Sequence, residues 1–485
     1  MRRPAEEGPP PRRSPSWLVP CCTEWQPFRD ITTPSLQNKT FDEIRLGDTA
    51  SLQRTLQASD VRAWAAAFGD VGLLADAGDV QGAAGILTAL LSSLVGAQLP
   101  GPGSSVRSTA VQVLAALPID TVLTAQVVVR EMRANEGLVI LAASCTDPTG
   151  KQVATGTLEV VAPTTRLRRE VPEHRLEGLL ERCHGINPML TGVVHPCSAE
   201  ALSGAVEAAE AGLIVPVLFG PEAELRRVAA AAKLDLSGCR IVPTKGPEDS
   251  ALKAAMAAGA GEVQALMKGS LHTDVLLHAV MQKEANLRTG RLLSHCAMLS
   301  VPTYARRVVI SDVALNIAPD TDQKRDICQN AIGFARALGI ELPKVAVLAA
   351  VETVRTKMPA TLDGAILAKM ADRRQIVGGI VDGPLDLDAA VDAAAARIKH
   401  IASPVAGAAD VLIVPNIDAG NMIYKNLAFM ADAQSAGLVV GARVPVVLTS
   451  RADTADARRF SAAAAVLYAD ALARDPAGIL PEPTE

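Results

Sequence analysis

Aromatic side chains are scarce here: 3% of 485 residues, in a chain that is 49% hydrophobic. So few aromatics leave no stacking platform for single-stranded nucleic acid. Charge of positive sign is not in excess either. The formal net charge is -5, which argues against a general polyanion-binding surface. No run of 18 apolar residues exists, so no membrane span is expected. Met1 to Pro20 is rich in Arg and Pro and has no apolar h-region, so it does not read as a signal peptide. The eight cysteines (21, 22, 145, 183, 197, 239, 296, 328) are scattered, and only Cys21 and Cys22 adjoin. Neither CxxC pairs nor Cys/His metal spacing appears. The thiols read as reduced, no metal is expected, and the expected location is the cytoplasm. All seven histidines lie beyond residue 170. No GxGxxG or Walker-type loop opens a helix, which counts against hydride transfer and nucleotide hydrolysis.

Composition divides what is present into stretches. Residues 1–40 are rich in Pro and charge, lack periodicity and are expected to be disordered. Residues 41–163 read as one module. A strand is expected at Ala50–Leu56, a helix from Ser59 to about Phe68, and a buried helix at Ala83–Val95. Three β-rich runs follow (Thr121–Met132, Gly137–Thr146, Val153–Val161), with a hairpin turn at Asp147–Gly150. Residues 164–175 are charged, contain Pro172 and read as a linker. From about Leu176 the pattern is βα alternation. Strands are expected at 213–219, 263–267, 307–310, 345–349, 375–381, 411–414 and 444–448. Ala-rich helices lie between them, among them 421–435 and 454–472. This is a mostly parallel sheet with helices on both faces.

The chain is organised around Gly441 to Asp456. Val444–Leu448 is a short apolar run that reads as a buried parallel strand. A helix opens near Thr454, with Asp453 as candidate N-cap. Ser450 and Arg451 fall in the turn between them, at the carboxyl end of a strand, where open α/β sheets bind ligands. Backbone N–H groups and a helix N-terminus favour anions there. Arg451 adds a planar fork matched to phosphate. An ordinary cap beside a solvated arginine is the competing reading.

Other polar clusters sit at strand ends. Lys268, Ser270, His272 and Thr273 follow one apolar run, and Arg288 and Arg291 come a helix later. Asn316, Asp382, Asn416 and Asn421 stand in turns, where Asx residues are equally favoured for backbone reasons. His272 is as readily a satisfied strand-end histidine, and Arg288 and Arg291 are what a surface helix end would carry.

Four segments in order, LMKGSLHTDVLL (266–277), GGIVDGPLDLDAA (378–390), SPVAGAADVLIVPNIDAGNMIYK (403–425) and GARVPVVLTSRAD (441–453), resemble the phosphate acetyl- and butyryltransferases, the butyryl branch more closely. The resemblance covers about residues 185–475. It implies two parallel-sheet α/β sub-domains flanking a cleft, as in isopropylmalate-dehydrogenase-like folds. One lobe would be 176–308 plus 444–485, and the other 309–443. It implies acyl-CoA + phosphate ⇌ acyl phosphate + CoA by direct attack in a ternary complex. Coenzyme A and phosphate would be substrates, with no resident cofactor, and a homodimer or higher homo-oligomer is expected. It also implies that the Ser450-Arg451 pair is catalytic, and that Lys268, Ser270, His272, Thr273, Arg288, Arg291, Asn316, Asp382 and Asn421 line the substrate site. The acetyl branch places its thiol base seven residues after the Ser, where this chain has Ala457. Asp456 and Asp453 remain candidates, each with a bland reading as first-turn carboxylate or cap.

Residues 41–163 resemble the hotdog fold of the MaoC-like (R)-enoyl-CoA hydratases, as in fusions of such a module to a phosphate acyltransferase. That family's Gly-Asp-x-Asn-Pro-x-His-x-Asp loop matches Gly69 to Asp76 here, keeping Asp70. Gly72, Leu73 and Ala75 replace its Asn, Pro and His. Hydration needs a positioned acid/base pair, so the module is expected to bind an acyl group or only to dimerise. Three readings follow: an acyltransferase, a bifunctional enzyme that also hydrates enoyl-CoA, and a non-catalytic acyl-CoA-binding scaffold.

Overall fold

From Thr121 to Val161 buried and open side chains alternate, and the chain folds back on itself as antiparallel strands. In the computed structural model, residues 35–56, 58–69, 84–116, 119, 121–170, 175–448 and 454–482 are described. Contacts divide the chain into two units, Met1–Val171 and Pro172–Glu485.

The first unit holds β1 (Ser35–Gln37), β2 (Thr49–Leu56), β3 (Ser105–Val113), β4 (Thr121–Arg133), β5 (Leu138–Thr146), β6 (Gln152–Val161) and β7 (Arg168–Glu170). A five-stranded sheet runs β2-β4-β5-β6-β3. Helix Ala84–Ala97 lays Leu87, Leu91, Leu94 and Val95 into the core it shares with Leu123, Val127 and Leu141. That spacing is one helical stripe, and each buried leucine contributes about 1.5–3 kcal/mol. At the β5–β6 turn the Asp147 carboxylate accepts from the backbone N–H of Thr149 at 2.9 Å and of Lys151 at 3.0 Å. β1 and β7 pair antiparallel. Short strands therefore stand at 35–37 and 168–170, where disorder and a plain linker were expected.

The second unit is built on β8 (Met189–Val194), β9 (Ile214–Gly220), β10 (Arg240–Pro243), β11 (Ala265–Lys268), β12 (Ser294–Ser300), β13 (Arg307–Ser311), β14 (Lys344–Leu348), β15 (Ile380–Leu385), β16 (Val411–Ile413), β17 (Gln434–Val440) and β18 (Val446–Val447). They form one 11-stranded sheet, β10-β9-β8-β11-β18-β17-β12-β13-β16-β14-β15. Strands are parallel within β10-β9-β8-β11-β18 and within β13-β16-β14-β15. β17 and β12 join the two blocks through three antiparallel pairings. The two parallel blocks consequently run in opposite senses.

Helix Ala455–Arg474 buries Phe460 through Tyr468 on the face that presents Cys296, Met298, Leu438 and Val440. Its run Ala462–Ala465 is fully covered; with so little side chain, the helix lies close to the sheet. Four of these strands (β8, β10, β12, β17) went unread in the sequence. β12 carries Ser294, His295 and Ser300, and β17 begins Gln434-Ser435, so neither shows a clean apolar run. The helix expected at 421–435 spans Ile417–Met430, and the strand expected at 375–381 is displaced to Ile380–Leu385, beyond Gly378 in its left-handed φ of 81°.

Candidate active site

β18 is two residues of ladder rather than five. Val446 and Val447 are fully buried, paired in parallel to Leu266 and Met267 and, on the other side, antiparallel to Val439. The chain leaves the sheet at Leu448 and next appears as the helix from Ala455. Ser450, Arg451 and Asp453 lie outside the described residues, as do Asp70, Gly72, Leu73 and Ala75 of the first unit. What is described is the frame on either side of residues 449–453. The helix N-cap is Thr454, whose Oγ1 accepts from Ala457 N–H at 3.1 Å, so the cap falls one residue later than Asp453. Asp456 stands in the first turn, its carboxylate 2.9 Å from Arg459 Nη2, with both side chains well exposed.

The neighbouring parallel strands end beside this frame. Lys268 closes β11, and its ammonium curls back on the carbonyls of Gly269 (3.2 Å) and Leu271 (3.3 Å). His272 takes the N-cap position of helix Thr273–Val280 without a capping side chain. Ser270 donates to the His195 carbonyl at 2.8 Å and accepts from Cys197 N–H at 2.8 Å. His195 follows β8 in a left-handed φ of 52°. Its Nδ1 lies 3.3 Å from Ser250 Oγ, which in turn is 2.7 Å from Thr244 Oγ1. Burial lowers the His195 pKa against the opposing pull of Glu224 and Glu248. Burial also pushes the Cys197 thiol up to about 12, aided by Glu224, so it is not a nucleophile at neutral pH. Lys268, Ser270, His272 and Thr273 thus share the carboxyl end of the strand bonded to β18. His195 was missed because β8 itself was; the apolar run ahead of His195-Pro196 was the available signal.

The remaining expected residues stand elsewhere. Arg288 donates through Nε to the Met281 carbonyl at 2.6 Å and bridges to Ala442. Arg291 is buried, with Nε and Nη2 on the Pro481 carbonyl (3.0 and 2.6 Å) and Asp326 at 3.8 Å. Arg443 N–H reaches the Leu287 carbonyl at 3.0 Å. The 287–291 loop therefore meets the chain ahead of β18, at the opposite end of that strand from Leu448. Neither arginine ends a surface helix, and Arg291 is committed to holding the C-terminal segment. Asn316 Nδ2 donates to the Leu293 carbonyl at 2.9 Å, and Asn421 Nδ2 to the Val313 carbonyl at 3.2 Å. Asp382 lies on β15 and accepts from Gly383 N–H at 2.8 Å. These groups brace loops in the second parallel block.

Two features were not anticipated. His295, on β12, is buried, and neither ring nitrogen has a hydrogen-bond partner among the described residues. Its pKa is lowered by burial, against the pull of the nearby Asp312 carboxylate. Asp312 is itself ringed by backbone donors from Ala314 (2.9 Å), Leu315 (3.1 Å) and Asn316 (3.2 Å). Glu352, Asp386 and Asp388 converge as three carboxylates, and the Lys399 ammonium reaches all of them, holding the Asp388 carboxyl at about 2. In the first unit an apolar cavity of about 380 Å³ is lined by Trp64, Phe68, Ile86, Leu90 and Leu123, with Arg54 on its wall.

Comparison with known proteins matches residues 244–466 to the family described as "Phosphate acetyl/butaryl transferase". A phosphate acetyltransferase of Rhizobium meliloti is 49% identical over 304 residues, 63% of this chain and 96% of the relative. A phosphate butyryltransferase of Clostridium acetobutylicum is 41% identical over 263 residues, 54% of this chain and 87% of the relative. Among solved structures, a branched-chain phosphotransacylase from Enterococcus faecalis V583 is similar at 30% identity and a TM-score of 0.52, covering 58% of this chain and 99% of that one.

Proposed function

The chain belongs to the phosphate acetyl/butyryl transferase family, and on that premise we propose that it moves a short acyl group between coenzyme A and inorganic phosphate. A phosphate oxygen attacks the thioester carbonyl carbon, the C–S bond breaks, and acyl phosphate and CoA thiolate leave. In reverse, the CoA thiol gives up its proton to a base, its sulfur attacks the acyl phosphate carbonyl carbon, and the C–O bond breaks to release inorganic phosphate. Little is asked beyond positioning and charge stabilisation.

The observation that carries this reading is the Ser450-Arg451 pair following a fully buried strand and preceding a capped helix, in a chain 49% identical to a phosphate acetyltransferase. Arg451 would take the phosphate as a bidentate ligand. Ser450 would steady the developing carbonyl or sulfur charge through its hydroxyl or N–H. Asp456 is the thiol base we favour, with Asp453 the alternative. Lys268, His272 and Thr273 sit on the adjoining strand end, where substrate phosphates would pass. Arg288, Arg291, Asn316, Asp382 and Asn421 have backbone or protein partners instead, which supports bracing roles for them.

Acetyl and butyryl substrates both fit the relatives' names. No helix among the described residues is long and apolar enough to cross a membrane, and a cytoplasmic place remains our reading. A homodimer is supported by helix Ile417–Met430, whose outer face shows Met422, Phe429 and Met430 at 68%, 66% and 80% exposure. The test is phosphate-dependent release of CoA from acetyl-, propionyl- and butyryl-CoA, wild type against Arg451→Ala. Release that collapses in the variant is expected. CoA binding without any phosphate-dependent release would replace the transferase by a binding scaffold.

A further inference from the structure

Across the carboxyl ends of β10, β9, β8 and β11 runs one connected set of polar contacts. Thr244, after β10, meets Ser250 at 2.7 Å, and Ser250 meets the His195 ring at 3.3 Å. His195 N–H donates to the Phe219 carbonyl on β9 at 2.7 Å. Its own carbonyl then accepts three times: from Ser270 N–H (3.0 Å), Ser270 Oγ (2.8 Å) and Cys197 N–H (2.9 Å). The next strand in the sheet is β18.

Three features single out Ser270 in this set. First, its only hydroxyl proton is spent on a carbonyl, which can only accept, and one of its two lone pairs takes Cys197 N–H. It has no proton left to donate to a phosphate. Second, the residue it grips is out of the ordinary. His195 is a non-glycine residue at φ 52° directly before a proline, a position that favours extended backbone. Such backbone persists only where the surroundings over-determine it, and it clusters at functional sites. Third, the two loops are in direct backbone contact: a Cβ at Gly269 would stand 2.3 Å from the Val194 carbonyl oxygen.

We propose that Ser270 is a positioning residue for acyl transfer: its hydroxyl ties the loop after β8 to the loop after β11 and so fixes where Lys268, His272 and Thr273 stand beside β18. This rests on the transferase reading above. Removing the hydroxyl leaves no backbone donor stranded, because Cys197 N–H also bonds the His195 carbonyl. The fold should therefore survive while the loop loosens, and small misplacements at a reacting centre are costly in rate.

The experiment compares Ser270→Ala and Ser270→Thr in the full chain. Readouts are kcat, KM for phosphate, KM for acyl-CoA and the thermal midpoint. Ser270→Ala is expected to lower kcat about tenfold at a nearly unchanged midpoint, and Ser270→Thr to return within about twofold of wild type. Wild-type kcat and KM in Ser270→Ala overturns the proposal. So does a rise in phosphate KM alone, which would make Ser270 a direct phosphate ligand. Should Ser270→Ala fail to fold, Ser270→Thr decides: folded and active supports positioning, folded and tenfold slow refutes it. Absence of phosphate-dependent release in the wild type would instead sink the transferase reading, a separate result.

Discussion

A Cβ at position 437 would stand 2.9 Å from Nε2 of His295, so the absence of a side chain on Gly437 is what gives the buried imidazole its room. The ring sits mid-sheet on β12, and its environment disfavours the charged form. The sign follows directly. A folded-state pKa below the unfolded value of about 6.5 means the unfolded chain binds the extra proton first. Stability is full above about 6.5 and is lost as pH falls below it, by at most about 1.4 kcal/mol per pH unit for this group. His195 shifts the same way, so its contribution carries the same sign. Denaturant midpoints between pH 7.5 and 5.5 should fall in the wild type and fall less in His295→Phe. Equal slopes in the two proteins would remove His295 from the account.

Asp456 is a candidate base with a modest competitor role. As a first-turn carboxylate beside Arg459 it would contribute about 0.3–1 kcal/mol to the helix. As the acceptor of the CoA thiol proton it would be worth about 10²–10⁴-fold in rate. Asp456→Asn should therefore slow acyl phosphate plus CoA by at least about a hundredfold while the thermal midpoint barely moves. A variant within threefold of wild type returns Asp456 to its bland role and leaves Asp453 to be tested.

Lys324 and Asp363 form a buried ion pair, 2.6 Å apart and 6% and 11% exposed, between helices Thr321–Ala337 and Pro359–Asp372. Removing one partner strands the other charge, at a cost of about 3–5 kcal/mol. Lys324→Met should show that loss in urea denaturation, and Lys324→Met with Asp363→Leu should recover most of it. A double variant no better than the single one would mean the cost is packing rather than charge.

How much of this was legible depended on periodicity. The strand expected at Val444–Leu448, the helix after Thr454 and the β4–β6 meander declare themselves by apolar runs and turn residues, and the structure has each of them, the first shortened to Val446–Val447. β12 and β17 do not, because buried strands with partners on both edges can carry Ser, His and Gly, provided those groups are packed or bonded through the sheet. Missing them hid the reversal between the two parallel blocks. It also hid why Arg288 meets Ala442, ahead of β18 rather than beyond it. Spacing along the chain cannot report which end of a strand a loop occupies. Ser270 was visible as a residue type, but its commitment to His195 required β8.

Tyr468 is fully buried, and its hydroxyl has no hydrogen-bond partner among the described residues. A stranded buried hydroxyl costs about 1–3 kcal/mol. Tyr468→Phe should leave stability equal or raise it by about 1 kcal/mol. A drop of more than that in the urea midpoint would reveal a bond from that hydroxyl.

The first unit tests the bifunctional alternative. Its cavity beside Trp64 and Phe68 is apolar, with ring centroids 4.4 Å apart, and suits an apolar guest. Hydration asks for more: a base to take a proton from water and an acid to deliver one to the substrate carbon. With Ala75 where the hydratases carry histidine, Asp70 would have to serve alone. Crotonyl-CoA should therefore show no hydration above background, by loss of its enoyl-thioester absorbance. Ala75→His is the informative variant. Turnover gained there would mean the pocket still orients an enoyl thioester and lacks only the proton carrier. Turnover in the wild type that disappears in Asp70→Asn would restore the hydratase and make the chain bifunctional.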